Sequence, residues 1–368
     1  MIAVCDISAL ARWAEKGLLE RLGDPCAHIE ARDWSLASAD SVSHKDLRAA
    51  RLEARPERPL HVLVSSRDRR VRAKSLCSHV WSAVLLEGSF YQLTDTVLLA
   101  SPEFCLRQMA PRSSTARVAL VGTEICGCYG RTPRAPDGFY KRDPLATPES
   151  LEKSLMSMTT YGSCRAVRDL SFVVSGSRSP METVVLLVFT LPIELGGCGF
   201  PPPLFNCRID IPASLQLALG KPYLVVDLCW PQWLIVLEYD SYDFHTAPRQ
   251  VDDDNVRDEG LRDLGWMVRS VTSGMLINDA MLKEMADCVA DRMGVSLPND
   301  EDYLARRHAL VRELLCGPQD KRAAAKAERR LLPMLSRSEQ ASCAASSALC
   351  TLGLTLCTRR RVLLASVL

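Results

Sequence analysis

The sequence predicts an α/β chain in two main parts. An α+β segment spans residues 1–130 and a denser α-β-β-β-α-β segment spans 145–275. Helices over 276–335 and a disordered tail over 336–368 complete the expected organisation. Three observations carry this reading. The 368 residues correspond to two domains at roughly 150 residues each. Hydrophobic residues at 47% and charged residues at 24% are ordinary for a folded chain, which excludes a wholly disordered protein, a collagen and a coiled-coil rod. Between the two parts lies "GRTPRAPDGFYKRDPLATPES", rich in Pro, Gly and charge, which marks a loop or boundary.

Within the first part, "ISALARWAEKGLLERL" has helical spacing, and "PLHVLVSS" reads as a short apolar strand after Pro59. "HVWSAVLLEGSFYQLTDTVLLASP" reads as strands broken at Gly88 and before Pro102. Ser101 and Pro102 then open a short helix, "PEFCLRQMA". The basic run "RDRRVRAK", Arg67–Lys74, has two readings, a set of phosphate contacts or a solvated hairpin loop.

Charge and cysteine usage narrow the function classes. Forty-five Lys and Arg against 44 Asp and Glu leave a net charge of +1, so any nucleic-acid contact must come from local patches such as Arg67–Lys74 or Arg306, Arg307 and Arg312. The N-terminal residues carry charges too often for a secretory signal, and no stretch before residue 340 could span a bilayer. The expectation is therefore a cytoplasmic protein with no membrane partner. The 15 cysteines contain no C-x-x-C pair, which leaves zinc-ribbon and thioredoxin readings without their spacing. They are expected to be reduced, mostly buried small hydrophobes. The tail from about Ser336 is rich in Ser, Thr and Gly. It reads as disordered, with a membrane-anchoring tail as the alternative.

The window Ser177–Thr272 carries the chemistry. Ser179 caps a helix with Pro180 first and Glu182 third, and the apolar run Val184–Leu191 buries it. After "GGCGFPPP" come three runs of strand length, "LFNCRIDI", "PYLVVDLCW" and "LIVLEYD". A polar loop, the helical "NVRDEGLRDLG" and the strand "WMVRSVT" follow. If the second and third strands form a hairpin turning at Gln232 and Trp233, Asp227 faces Glu238 with Cβ atoms about 5 Å apart. Asp240 projects from the same face. Leu224, Val226, Leu228, Ile235, Leu237 and Tyr239 fill the other face. Opposed carboxylates repel unless a proton or a cation neutralises them. A cluster of oxygen donors suits Mg²⁺ or Mn²⁺.

These residues resemble the PD-(D/E)XK nuclease superfamily, closest to its very-short-patch-repair-like and abortive-infection-associated branches. The matching pieces are Glu182 in "SPMET", Asp227 in "VVDLCW", Glu238 and Asp240 in "LEYDS", and His245 in "DFH". Asp254 and Arg257 in "DNVRD" and the strand "LGWMVRSVT" complete them. The resemblance implies a restriction-endonuclease-like core and Mg²⁺- or Mn²⁺-dependent endonuclease activity on nucleic acid, DNA ahead of RNA. It implies that Asp227 and Glu238 hold the metal, that Glu182 is the outer carboxylate, and that Asp240, His245 and Arg257 join the catalytic set. The metal would polarise a phosphate and lower the pKa of its bound water. Two positions depart from the pattern. Asp240 stands where the superfamily has Lys, and Ser241 where this branch commonly has Gly. Arg257, or less directly Arg249, is the candidate replacement for the missing positive charge.

Each residue also has a plain structural reading. Ser179-x-x-Glu182 is equally a capping box. Asp240 ends its strand and suits a turn, His245 lies in a polar loop, and Arg257 suits an exposed helix face. The same fold could serve as a non-catalytic nucleic-acid-binding or antitoxin-like regulatory protein of a phage-defence locus, which the missing Lys favours. A purely structural interaction protein is the third reading.

Overall fold

The computed structural model of the chain describes residues 1–26, 44–83, 85–132, 135–156, 163–240 and 248–316. The chain divides into two units, Met1–Thr183 and Val184–Leu368.

In the first unit, β1 (Ile2–Val4), α1 (Asp6–Trp13), α2 (Leu18–Leu22) and α3 (His44–Ala49) precede β2 (Leu60–Val64) and β3 (Leu76–Val80). Next come β4 (Phe90–Thr94), β5 (Val97–Ala100), α4 (Pro102–Met109) and α5 (Thr115–Ile125). The hairpin β6 (Tyr129–Arg131) and β7 (Phe139–Lys141) leads to α6 (Pro148–Met156) and α7 (Ser163–Asp169). The first five strands form one sheet in the order β3-β2-β1-β5-β4. All three residues of β1 are buried at its centre, where only apolar side chains avoid a desolvation cost. Trp13, Val62, Leu99 and Phe104 belong to its core.

The helix expected over residues 7–22 is two helices, because Gly17 turns the chain at φ 69° and opens α2. Ser101 caps α4 as its sequence suggests, accepting the Phe104 N–H at 3.2 Å. The run at 67–74 is no hairpin loop. β2 and β3 pair in parallel, so residues 65–75 cross over from the end of one strand to the start of the next.

The Pro- and Gly-rich run at 130–150 does not separate the units. Part of it pairs as β6 and β7, and α6 and α7 then return Leu151, Leu155 and Ala166 to a core shared with Leu106 and Val118. The division falls inside α8 (Pro180–Thr190) instead. A punctuated sequence marks a change of direction, and burial decides whether it also ends a domain.

After α8, the second unit contains β8 (Leu204–Asp210), α9 (Ala213–Leu219), β9 (Tyr223–Trp230), β10 (Ile235–Asp240), α10 (Pro248–Asp263) and β11 (Met267–Thr272). Three helices follow, α11 (Ser273–Ile277), α12 (Asp279–Met293) and α13 (Glu301–Cys316). The strands lie in the order β11-β10-β9-β8, antiparallel except for β10 and β11. The expected element order holds, with α9 as an insertion absent from it. The chain reverses after α8 at Gly197, where an added Cβ would stand 2.0 Å from the Leu191 carbonyl oxygen, so only glycine fits.

Of the described cysteines, Cys5, Cys105, Cys126, Cys198 and Cys229 are buried, and all ten are free thiols. Among the described residues no helix is long and apolar enough to cross a membrane. The tail over 336–368 lies outside the described residues.

Candidate functional site

The β9–β10 hairpin keeps the expected register with a longer turn. Pro231–Trp233 form a single 3₁₀ turn, Leu234 follows at φ 52°, and Trp230 pairs with Ile235, Cys229 with Val236 and Leu228 with Leu237. One residue further on, the ladder opens at Asp227 and Glu238. The Asp227 N–H donates to Glu238 Oε2 at 3.3 Å, and the Tyr239 N–H donates to Asp227 Oδ2 at 2.9 Å. The two acids are therefore side by side on neighbouring strands, each carboxylate accepting from the other strand's backbone.

Both sheet faces explain why this geometry holds. Leu224, Val226, Leu228, Ile235 and Leu237 are all buried and Tyr239 is half-buried, but Leu224 and Val226 share one core with Cys229, Val236 and Leu261 instead of filling the opposite face as expected. On the carboxylate-bearing face, Leu261 of α10 packs with Cys229, Val236 and Val268. Arg257 lies one turn earlier on α10. Its Nη2 donates to Glu238 Oε1 at 2.5 Å and to the Val225 carbonyl at 2.8 Å. Gly260 lets α10 approach α9, since a Cβ there would stand 2.8 Å from Leu219 Cδ1.

Burial pushes the Glu238 carboxyl up to about 8, and the adjacent Asp227 charge adds to the shift, while Arg257 opposes it. The side chain is only 15% exposed. A carboxylate so placed holds a proton or a cationic partner more readily than a solvated one.

The other expected site residues divide. Asp240 closes β10 in register with Thr272, one pleat beyond Glu238 on the same face. Glu182 belongs to the first unit and takes up the capping geometry. Its N–H donates to Ser179 Oγ at 3.1 Å, and its Oε2 accepts the Arg178 N–H at 2.8 Å. His245 lies outside the described residues, as do the side chains of Arg249 and Asp254. Of the basic candidates, Arg67, Arg69, Arg70, Arg72 and Lys74 are exposed. Arg307 is not a surface contact. It is 2% exposed and lies over the Tyr303 ring at 4.6 Å, because α13 turns it into the core.

Asn206 is absent from the expected set. It sits between the pairs Phe205–Leu228 and Cys207–Val226, and so reaches the level of Asp227 on the outer side of β9. Its φ of 48° interrupts that ladder as well. An Asn inside an apolar strand was the available signal, since Asn is depleted in strands and tolerates left-handed backbone.

A second cluster lies in the first unit. His61 pairs in register with Cys77, and Leu63 with His79, so the strand alternation sets His61, Cys77 and His79 on one face of β2 and β3. His79 Nε2 lies 2.9 Å from His61 Nδ1 and 3.6 Å from Cys77 Sγ. These three residues form a group that could hold a metal ion, with all ligand atoms within 4.8 Å of one another. Asp6, 2% exposed and at φ 57°, follows β1 and faces both rings. Its Oδ2 is 3.5 Å from His79 Nε2, and its Oδ1 is 3.8 Å from His61 Nδ1. Arg112 pairs with the same carboxylate. Burial lowers both imidazoles, His79 to about 4 with His61 and Arg70 adding to the effect, and burial raises the Cys77 thiol. The spacing Cys77-x-His79 in a strand was the legible signal, because alternate residues share a face.

A scan against protein-family models finds no match to this chain, and searches of curated proteins and of solved structures likewise return none.

Proposed function

We propose that the second unit is a restriction-endonuclease-like domain that hydrolyses phosphodiester bonds of nucleic acid, DNA ahead of RNA, with Mg²⁺ or Mn²⁺ as cofactor. The observation that carries this reading is the juxtaposition of Asp227 and Glu238 across β9 and β10 beneath Arg257. Their donor atoms are all carboxylate oxygens, the hard ligands that Mg²⁺ and Mn²⁺ take. Asp227 and Glu238 would hold the ion. When bound, it would supply Lewis-acid polarisation of a phosphate and a more acidic water.

The chain's own groups do the positioning. Arg257 fixes Glu238 by pairing with its Oε1 and anchors itself on the Val225 carbonyl. The guanidinium fork also matches a phosphate, which makes Arg257 the source of positive charge that Asp240 cannot provide. Glu182, the outer carboxylate that the resemblance implies, is engaged as the cap of α8, where its Oε2 accepts the Arg178 N–H. The exposed run Arg67–Lys74 is a candidate for sequence-independent backbone contacts.

One observation favours the second reading, a non-catalytic nucleic-acid-binding protein on the same fold. Three of the four oxygens of the acid pair already accept hydrogen bonds, and Arg257 neutralises Glu238 without any metal. The deciding experiment compares cleavage of single- and double-stranded DNA and RNA by wild type and Glu238→Ala, with Mg²⁺, with Mn²⁺ and with chelator. Metal-dependent cleavage abolished in the variant supports the nuclease. Binding without cleavage, unaltered in Asp227→Ala and Glu238→Ala, supports the second reading instead.

A further inference from the structure

The first unit carries a donor set of a different chemical kind. We propose that His61, Cys77 and His79 bind a single zinc ion, with Asp6 in the fourth position, and that the ion clamps the edge strand β3 to β2 and to the chain leaving β1.

Four observations carry this. The donors are two imidazole nitrogens and one thiol, a combination that selects a borderline ion such as Zn²⁺ and that Mg²⁺ or Mn²⁺ does not seek. The spacing is near that of a tetrahedron along the edges that His79 makes. A zinc ion with bonds of about 2.0–2.3 Å sets neighbouring donors roughly 3.3–3.6 Å apart. His79 Nε2 lies 3.6 Å from Cys77 Sγ and 3.5 Å from Asp6 Oδ2. The ring pair at 2.9 Å needs to open by only a few tenths of an ångström, about the tolerance of a binding site.

The third observation is the supporting scaffold. The Cys5 N–H donates to the His61 carbonyl at 3.0 Å, and the His61 N–H donates to Ser8 Oγ at 2.9 Å, so the chain around Asp6 is tied to β2 at His61. The two imidazoles stack at 4.9 Å between centroids, which limits their rotation. The fourth is Asp6 itself. A buried carboxylate at positive φ, aimed at two ring nitrogens and paired with Arg112, is a costly arrangement for a residue that only opens a helix. Arg112 then acts as its positioning residue. Zinc binding would displace the Cys77 proton to solvent, leaving a thiolate–metal bond.

The test uses the full-length chain, reduced and freed of metal by chelation, titrated with Co²⁺ alone and then with Zn²⁺ alone. Wild type is expected to bind one Co²⁺ with a near-ultraviolet thiolate-to-cobalt band and the intense visible bands of a four-coordinate ion, both abolished by Zn²⁺. Cys77→Ser, nearly isosteric and checked by circular dichroism, loses the near-ultraviolet band. His61→Ala and His79→Ala lose the four-coordinate spectrum, and Asp6→Asn weakens binding about 10–100-fold. Zinc at a hundred times its Kd raises a melting transition of wild type by about 5–10 °C, and of Cys77→Ser far less. A pale six-coordinate spectrum identical in wild type and Cys77→Ser, or an equal thermal shift in both, would overturn the site. Unchanged affinity in Asp6→Asn would overturn the assignment of Asp6. The near-ultraviolet thiolate band reports Cys77 alone, whereas the acid pair of the second unit offers only oxygen donors, so failure here is separate from failure of the nuclease reading.

Discussion

Two clusters of polar side chains stand on two sheets, and they are assembled differently. Asp227 and Glu238 come from one antiparallel hairpin, eleven residues apart, with carboxylate oxygens and a guanidinium as the participating groups. His61, Cys77 and His79 come from parallel strands joined by a crossover, and Asp6 follows a third strand at the start of the chain. The first cluster offers hard oxygen donors around a neutralising Arg. The second offers nitrogen and sulfur. Strand alternation thus collects like-facing residues cheaply, whereas donor chemistry decides which ion each collection suits.

Substitution of single donors should separate the two clusters most sharply. Glu238→Ala and Asp227→Ala should reduce metal-dependent cleavage to background, measured with labelled DNA substrate, while zinc binding stays intact. His79→Ala should do the reverse, and a parallel fall of both activities in either variant would break the distinction.

Next in size is the ion pair. Arg257→Ala should destabilise the second unit by about 1–3 kcal/mol, because it strands a half-buried carboxylate and a backbone carbonyl. Urea denaturation measures this. Arg257→Lys should recover only part, since a point charge cannot serve both acceptors as the planar fork does.

A weaker signature is the pH dependence. Glu238 carries a folded-state pKa raised to about 8, so between its ordinary value near 4.5 and about 8 the unfolded chain has released a proton that the folded chain keeps. Stability from this group is therefore greatest in acid and falls as pH rises through that window, by up to about 1.4 kcal/mol per pH unit. Glu238→Gln should flatten the slope in denaturation measured from pH 5 to 8. A competing metal needs the ionised form, so Mg²⁺ affinity should rise over the same window.

The exposed basic run should show the least. Replacing Arg69 and Arg72 by Ala should weaken nucleic-acid binding alike for all sequences and reduce the salt slope by about 1 for each phosphate no longer neutralised. A sequence-dependent weakening would move Arg67–Lys74 from backbone contact to base recognition.

Much of the second unit was legible. Five of its elements appear as apolar runs and caps, and the Asp227–Glu238 pairing follows from strand parity once the hairpin is assumed. The turn is two residues longer than expected without a shift of register, because it grows by one residue on each side. Asn206 was signalled only by standing in an apolar strand, and the contact of Arg257 with Val225 was not legible, since it depends on how α10 is laid against β9.

The first unit shows the opposite limit. Cys77 and His79 share a strand face by spacing alone, yet nothing local says that β2 runs parallel beside them or that β1 brings Asp6 to the same place. Interactions over a few residues set the strands, the caps and the local facing of the acids, and these are written in the amino-acid order. The position of the division between units, the burial of Arg307, and the convergence of donors from β2, β3 and the chain after β1 came only with the assembled fold. Those outcomes depend on which distant surfaces exclude water together, a property of the packed core that short-range patterns do not carry.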